Sequence, residues 1–398
     1  GRFSLSQAAL HQAAAFPEQA PGEKEVWPAF SVQLRKLYLS LPGKPIVTTA
    51  SQDVVPLLHG QGREAVRRFT STYILLMEEF ELIAKTFQGL EEVLAQELNE
   101  LGAHNVRPGR RVVAFTGDQE MMYRANFCLR TAVRILKPIK HFTAKDADDV
   151  YAAVRGIDWS RYLDLDTTFS VDTVVYSEEF RHSKFVAYKV KDAIVDYFRE
   201  TTGKRPNISV TNPDIKLNMH ISDEECTLSL DASGESLHLR GYRTASVEAP
   251  INEVLAAGLL KLAGWNGETD FVDPFCGSGT LLVEAALMAR NVYPGVFRKA
   301  YGFEKWKDFD RELLDRIYND DSAEREFTHK IYGYDLNQRA VEAALANAKS
   351  AYRRRRGTRP GGQRTTDTSG SRTPTSRYTR GWPRWPLARF RRSILPAS

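Results

Sequence analysis

The chain has 398 residues, of which 42% are hydrophobic and 26% charged, with a formal net charge of +5. This length supports more than one hydrophobic core, so we expect more than one domain. No apolar run approaches the ~20 residues of a membrane helix, and the N-terminus lacks the basic and apolar blocks of a signal peptide, so we expect a cytoplasmic protein. Cys128, Cys226 and Cys276 lie far apart without a C-x-x-C pair, which argues against a disulfide framework and a zinc site, and we expect no metal.

The positive charge is concentrated at the two ends of the chain. Residues 351–398 carry 13 Arg, no Lys and one acid, and stand at +12, whereas residues 1–76 stand at +3. Residues 77–350 therefore stand at −10. A nucleic-acid site in the middle of the chain would have to be a local basic patch.

The first strong pattern begins at Met77, and residues 1–76 are predicted to be a poorly ordered extension. The segment "FELIAKTF" predicts a strand, and "GLEEVLAQELNELGA" predicts a helix with Gly102 as its C-cap. A second strand around a turn follows in "VRPGRRVVAFTG", and "DQEMMYRANFCLRTAVRILKPI" predicts a helix that runs into a strand. These elements indicate a compact α+β unit.

The next segment predicts two helices around a strand, followed by a hairpin. The helices are "DADDVYAAVRGIDW" and "HSKFVAYKVKDAIVDYFRETTG", and the strand is "TFSVDTVV". In the hairpin, apolar residues alternate on both sides of the turn "SDEE": Ile215, Leu217, Met219, Ile221, Cys226, Leu228 and Leu230.

The third segment has the order helix, strand, helix, strand, helix. The helix "APINEVLAAGLLKLAGW" leads through "DFV" to the glycine turn "DPFCGSGT" and a second helix. An aromatic and charged insertion covers residues 291–327, after which "HKIYGYDLNQRAVEAALANAKSA" supplies a strand, a loop and a helix. This alternation is the start of a parallel, doubly wound sheet.

The ligand of the glycine turn can be narrowed by elimination. A Walker loop needs a Lys after Gly279, and a dinucleotide fingerprint needs a third glycine where Leu282 stands. S-adenosylmethionine fits better, because Asp273 can bind an ammonium group, directly or through water. Asp335 ends the next strand, where it can accept hydrogen bonds from ribose hydroxyls. A G-x-G turn alone is also an ordinary strand-to-helix connection.

Two sets of residues follow as candidates. The predicted cofactor-binding residues are Asp273, Pro274, Phe275, Cys276, Gly277, Ser278, Gly279, Thr280, Asp335 and Asn337. The predicted RNA-binding residues are Arg124, Arg130, Arg134, Lys184, Lys189, Lys191 and Arg243. The first three fall at roughly helical spacing, as do the three lysines, and such clusters suit phosphate contacts. An ordinary solvated helix face would show the same spacing.

Several long segments carry a family resemblance. "LDASGESLHLRGYR", "APINEVLAAGLL" and "DPFCGSGTLLVEAALMA" resemble the THUMP-domain class I S-adenosylmethionine-dependent methyltransferases that modify guanine N2 in bacterial 23S rRNA. "GLEEVLAQEL", "HSKFVAYKVKDAIVDYFRE" and "YGFEKW" fit the same pattern. The resemblance implies a fold of the α/β plus α+β class and 23S rRNA as the partner. It implies a ferredoxin-like unit at 77–120, a THUMP RNA-binding domain at 121–232, and a partial Rossmann-like methyltransferase domain at 233–351.

The C-terminal part departs from the family. The family carries an Asn-Pro-Pro-Tyr type loop, and no such motif occurs in residues 351–398. Composition also breaks at Tyr352, so residues 352–398 are predicted to be an Arg-rich disordered tail or a frame-shifted segment. We therefore assign no catalytic residue, and we expect this chain to bind RNA without transferring a methyl group. The alternatives to a guanine-N2 methyltransferase are an inactive THUMP RNA-binding module and an adenine-N6 methyltransferase. The adenine-N6 alternative would not account for residues 77–240.

Overall fold

The computed structural model describes residues 79–180 and 182–354. The predicted extension over residues 1–76 lies outside these ranges, as does the predicted tail apart from its first three residues, which continue the last helix. Among the described helices, none is both long and apolar enough to cross a membrane.

The first unit contains the α+β elements predicted for it. Its elements are β1 (Phe80–Lys85), α1 (Glu91–Leu101), β2 (His104–Gly109), β3 (Val112–Gly117), α2 (Gln119–Cys128) and β4 (Arg134–Thr143). Leu94 and Leu98 on the apolar face of α1 are fully buried. Gly102 ends this helix in the left-handed conformation at φ +90°, so its predicted role as C-cap is confirmed.

The second unit contains the predicted helices, strand and hairpin. Its elements are α3 (Ala147–Arg155), β5 (Phe169–Tyr176), α4 (Ser183–Thr202), β6 (Ile215–Ser222) and β7 (Glu225–Asp231). Strands β6 and β7 form the antiparallel hairpin, in which Ile221 pairs with Cys226. Strand β5 pairs with β6 in parallel, with α4 as the crossover between them.

A single seven-stranded sheet runs through both units, in the order β2-β3-β1-β4-β7-β6-β5. Strand β4 joins the two halves, because it pairs with β1 on one side and with β7 on the other. The predicted boundary between residues 120 and 121 therefore cuts through a continuous structure. It falls inside α2, which contributes to the same buried core as β1 and β3.

The third unit begins with the predicted alternation of strands and helices. Its elements are α5 (Glu253–Leu262), β8 (Phe271–Asp273), α6 (Thr280–Ala289), α7 (Arg311–Asn319), β9 (Ile331–Gly333) and α8 (Gln338–Arg354). Strands β8 and β9 are parallel, with Asp273 opposite Gly333. The aromatic insertion packs against α2, since the Phe303 ring stacks on Tyr123 at 4.1 Å and on Tyr301 at 5.1 Å. This packing connects the insertion to the first unit.

Candidate cofactor site

The glycine turn lies where two parallel strands end side by side. Gly277 and Gly279 have φ values of +52° and +78°, which favour glycine. A Cβ atom on Gly279 would lie 2.8 Å from the Cβ of Ala344 in α8. A Cβ atom on Gly333 would lie 2.4 Å from the Cδ1 of Leu282 in α6. Glycine at these positions therefore lets α6 approach α8 and β9 closely.

Asp335, which follows β9, forms a hydrogen bond with this turn. Its Oδ2 accepts a hydrogen bond from the Gly277 N–H at 3.0 Å, and its Oδ1 accepts one from the Asn337 N–H at 2.8 Å. The Cys276 N–H donates to the carbonyl of Tyr334 at 2.8 Å, which ties the two strand ends together. Each carboxylate oxygen has a further lone pair and can accept another donor, such as a ribose hydroxyl.

Asp273 ends β8 beside Asp335 and is largely buried. Its Oδ1 accepts a hydrogen bond from the Phe275 N–H at 3.0 Å. Burial raises the pKa of Asp273 above its ordinary value, and the nearby negative charge of Asp335 raises it further. A cation placed between the two carboxylates would lower the pKa of Asp273 again and would offset the repulsion between the two charges. The site therefore has the chemistry to hold an ammonium group and a diol at adjacent positions.

The other predicted cofactor residues occupy different environments around the turn. Pro274 is exposed, and the ring of Phe275 is 81% exposed at the open edge of the sheet. Cys276 is buried, and burial raises the pKa of its thiol to about 12, so that it is no nucleophile near neutral pH. Asn337 is exposed, and its Oδ1 accepts the Arg339 N–H at 2.9 Å in the first turn of α8.

Arg243, which we predicted to bind RNA, braces the glycine turn from behind. Its guanidinium donates to the Ser278 Oγ at 3.1 Å, the Thr280 Oγ1 at 3.0 Å and the Ile251 carbonyl at 2.9 Å. It also forms an ion pair with Glu253 at 2.9 Å. These four contacts hold the side chain against the turn, and the assignment of Arg243 to RNA binding stays a prediction.

Sequence reasoning missed Asn347, which joins α8 to the same turn. Its amide donates to the Ser278 carbonyl at 2.9 Å and accepts the backbone N–H groups of Thr244 and Ala245 at 2.7 and 3.0 Å. One signal was present, because Asn347 is the polar residue on the buried face that Ala344 and Ala351 share. A polar side chain in such a position requires hydrogen-bond partners.

A buried polar group behind α6 was also missed. Glu284 of α6 is fully buried, and it accepts a hydrogen bond from the Tyr242 hydroxyl at 2.9 Å. The Arg240 Nε lies 3.7 Å from it, and Arg240 donates to the Arg130 carbonyl. Burial raises the pKa of Glu284. The group links the cofactor helix to the first unit.

The predicted arginine cluster does not form a surface. Arg130 is only 5% exposed, and within the described part of the chain its Nη1 and Nη2 are buried without a hydrogen-bond partner. Arg134 pairs with Asp231 and donates to the Gly234 carbonyl at 3.0 Å. The assumed helical spacing fails because α2 ends at Cys128, so that Arg130 turns inward and Arg134 begins β4. Arg130 is therefore buried, Arg134 is paired with Asp231, and Arg124 on α2 is half-buried, while the assignment of the three to RNA binding stays a prediction.

The three predicted lysines do share one helix. Lys184 is exposed, the Lys191 Nζ lies 4.9 Å from the ring centroid of Tyr188, and Lys189 pairs with Asp148 at 2.5 Å. Two aromatic rings between them are exposed, Phe185 by 52% and Tyr188 by 56%. We call Lys184, Phe185, Tyr188, Lys189 and Lys191 the α4 surface.

Three family profiles match the chain. They are a RlmL ferredoxin-like domain at residues 81–136, a THUMP domain at residues 144–231 and an RMKL-like methyltransferase domain at residues 240–356. The class defined by fold and site is that of S-adenosylmethionine-dependent methyltransferases with a THUMP domain. The first boundary between matched ranges falls within β4, whereas we predicted it within α2, and our domain limits remain a prediction.

Similar curated proteins agree with this class. A putative RNA methyltransferase of Synechocystis, slr0064, is 40% identical over 268 residues, which cover 67% of this chain and 70% of the relative. The ribosomal RNA large subunit methyltransferases K/L of Syntrophotalea carbinolica and Psychromonas ingrahamii are 42% and 41% identical, over 66% and 67% of this chain. The chain spans only 38% and 36% of those two relatives.

Two solved structures of methyltransferases are also similar to this chain. SMU.472, a putative methyltransferase complexed with SAH, has a TM-score of 0.62 and 32% identity, covering 69% of this chain and 72% of its own. A predicted N6-adenine-specific DNA methylase from Listeria monocytogenes has a TM-score of 0.64 and 32% identity, covering 70% and 74%. The chain belongs to the family of THUMP-domain RNA methyltransferases with an RMKL-like methyltransferase domain. The comparisons do not support our prediction that this chain has lost methyl transfer.

Proposed function

We propose that the chain binds S-adenosylmethionine and ribosomal RNA for methylation of a guanine N2 amine in 23S rRNA. The observation that carries the cofactor assignment is the hydrogen bond from the Gly277 N–H to Asp335, beside the largely buried Asp273. It combines a close backbone approach with two carboxylates at the carboxyl ends of parallel strands, where α/β folds bind ligands. The rRNA target rests on the sequence resemblance and on the two K/L relatives, and the guanine rests on the sequence resemblance alone.

Different residues of the glycine turn and its surroundings would contact different parts of the cofactor. Asp335 would accept hydrogen bonds from the ribose hydroxyls, and Asp273 would hold the ammonium group. Gly277 and Gly279 would let the chain lie directly against the amino-acid end. S-adenosylmethionine supplies a methyl group that is already activated on a sulfonium, so the protein's own contribution is orientation of the reactants. The structural neighbour complexed with SAH supports the same class of cofactor.

The α4 surface is the part of the described chain that we assign to RNA. Lys184 and Lys191 would contact phosphates, and the exposed rings of Phe185 and Tyr188 would stack on unpaired bases. Lys189 contributes less, because Asp148 already neutralises it. Base stacking on such rings is worth about 1–3 kcal/mol per base.

Calorimetry with S-adenosylmethionine tests the cofactor site. Asp335→Asn retains the side-chain volume but removes the negative charge, so we expect roughly 10-fold to 100-fold weaker binding, as for a lost hydrogen bond to a charged group. Asp166→Asn is the matched control, because Asp166 is exposed and lies outside the third unit. Equal affinity of wild type and Asp335→Asn would mean that Asp335 is only a strand-end residue.

Salt titration of binding to unmodified 23S rRNA tests the α4 surface. The double variant Lys184→Gln, Lys191→Gln should lower the slope of log K against log salt concentration by about 0.7–0.9 per lost phosphate contact. Lys330→Gln, an exposed lysine in the third unit, serves as the control. An unchanged slope in the double variant would place the RNA elsewhere.

Adenine-N6 methylation is the second candidate, since one solved neighbour is described as an N6-adenine-specific methylase. Incubation with labelled S-adenosylmethionine and unmodified 23S rRNA, followed by mass spectrometry of the nucleosides, separates N2-methylguanosine from N6-methyladenosine. N2-methylguanosine is the expected product. Formation of N6-methyladenosine instead would contradict the guanine assignment.

A further inference from the structure

The guanidinium of Arg243 is held rigidly against the cofactor turn. Its Nε donates to the Glu253 carboxylate, and its Nη2 donates to both the Ile251 carbonyl and the Thr280 Oγ1. Its Nη1 donates to the Ser278 Oγ. Glu253 is buried, so the ion pair balances the charge of Arg243 and fixes the plane of its guanidinium fork.

These contacts dictate where two hydroxyl protons point. A hydroxyl has two lone pairs and one proton, and the oxygens of Ser278 and Thr280 each use a lone pair to accept an N–H of Arg243. Their own protons must therefore point away from the guanidinium. Within residues 79–180 and 182–354, neither hydroxyl donates to a protein acceptor, although both residues are only 3% exposed. A buried donor without an acceptor is costly unless a ligand supplies one.

The surroundings select the chemistry of that ligand. Thr280 is the first residue of α6, a helix of ten residues, and Ser278 lies in the turn before it. The unsatisfied N–H groups and the positive end of the helix dipole favour an anion at this point. Asp273 and Asp335 stand on the strand side of the turn and would repel an anion. The carboxylate of the cofactor's amino-acid end is the anionic group that these donors fit.

We propose that Arg243 is a positioning residue for S-adenosylmethionine, acting through Ser278 and Thr280. By donating to both hydroxyl oxygens, it presets their protons as donors to the carboxylate of the cofactor. The proposal rests on the proposed function as an S-adenosylmethionine-binding protein. It assigns Arg243 a role that depends on one end of the cofactor and is independent of the adenosine end.

The test compares two ligands that share the adenosine end and differ in the amino-acid portion and in the charge on sulfur. Dissociation constants are measured by calorimetry for S-adenosylmethionine and for 5′-methylthioadenosine, which lacks the amino-acid portion. Arg243→Lys keeps the positive charge beside Glu253 but cannot donate to both hydroxyls in a fixed fork. We expect roughly 10-fold to 100-fold weaker binding of S-adenosylmethionine and unchanged binding of 5′-methylthioadenosine. Arg199→Lys on α4 is the matched control, because Arg199 is exposed and pairs with Asp196.

If Arg243 only stabilises the turn, the affinities of the two ligands should change in a different pattern. In that case Arg243→Lys would weaken both ligands equally and lower the thermal unfolding temperature, which would overturn the proposal, as would unchanged affinity for both. The variant Ser278→Ala, Thr280→Val should lose the same factor for S-adenosylmethionine, and adding Arg243→Lys to it should cause no further loss. Additive losses would refute action through the hydroxyls. A wild-type chain that binds neither ligand would contradict the proposed function itself.

Discussion

Replacement of Gly279 by alanine tests how closely α6 must approach α8 for the cofactor turn to form. At φ +78°, a residue with a Cβ atom costs about 1–2 kcal/mol. The new Cβ would also lie 2.8 Å from the Cβ and 3.1 Å from the Cα of Ala344. No rotamer change can relieve contacts with a short side chain and backbone, so overpacking adds about 1–3 kcal/mol. We expect a loss of about 2–5 kcal/mol in the free energy of unfolding.

Gly264 provides the matched control. It has nearly the same backbone conformation, at φ +69°, but a Cβ atom there would meet nothing within 4 Å. Gly264→Ala should therefore lose only the backbone cost of about 1–2 kcal/mol. Urea unfolding followed by circular dichroism measures both variants, and calorimetry with S-adenosylmethionine shows whether the displaced turn still binds. Equal losses in the two variants would refute the close-approach argument.

Three further outcomes follow from burial and charge. Arg130→Met should leave the affinity for 23S rRNA and its salt dependence unchanged, because Arg130 is buried. A reduced salt slope would mean that Arg130 contacts the RNA. Hydrogen bonds from Lys305 and Thr168 lower the pKa of Asp214 to about 2, so its stabilisation is present above its ordinary pKa and is lost as the pH falls through about 2. The difference in urea midpoint between wild type and Asp214→Asn should accordingly be larger at neutral pH than near pH 2. Cys276 should resist iodoacetamide in the folded protein at mildly alkaline pH, because burial raises its pKa to about 12, and rapid alkylation detected by mass spectrometry would show that the turn opens.

Local pattern in the sequence was sufficient to predict the helices, the hairpin and the glycine turn between strand and helix. The apolar spacing of α1 and the alternation of the β6–β7 hairpin are local properties of a helix and of a strand, and both are present in the structure. The approach of Asp335 to the glycine turn was also predictable. Parallel strands end at the same sheet edge, so a strand-terminal carboxylate comes close to the preceding turn.

Tertiary packing alone decided which charged side chains are exposed and which are bound to other residues. Arg130 and Arg243 were predicted from spacing and sequence as RNA contacts, yet one is buried and the other is bound to Ser278, Thr280 and Glu253. Asn347 reaches the same turn from more than sixty residues further along the chain. Likewise, the pairing of β4 with β1 and β7 merges two predicted units into one sheet. Sequence periodicity records the face on which a residue lies, whereas the partners of a long polar side chain depend on segments that only the folded chain brings together.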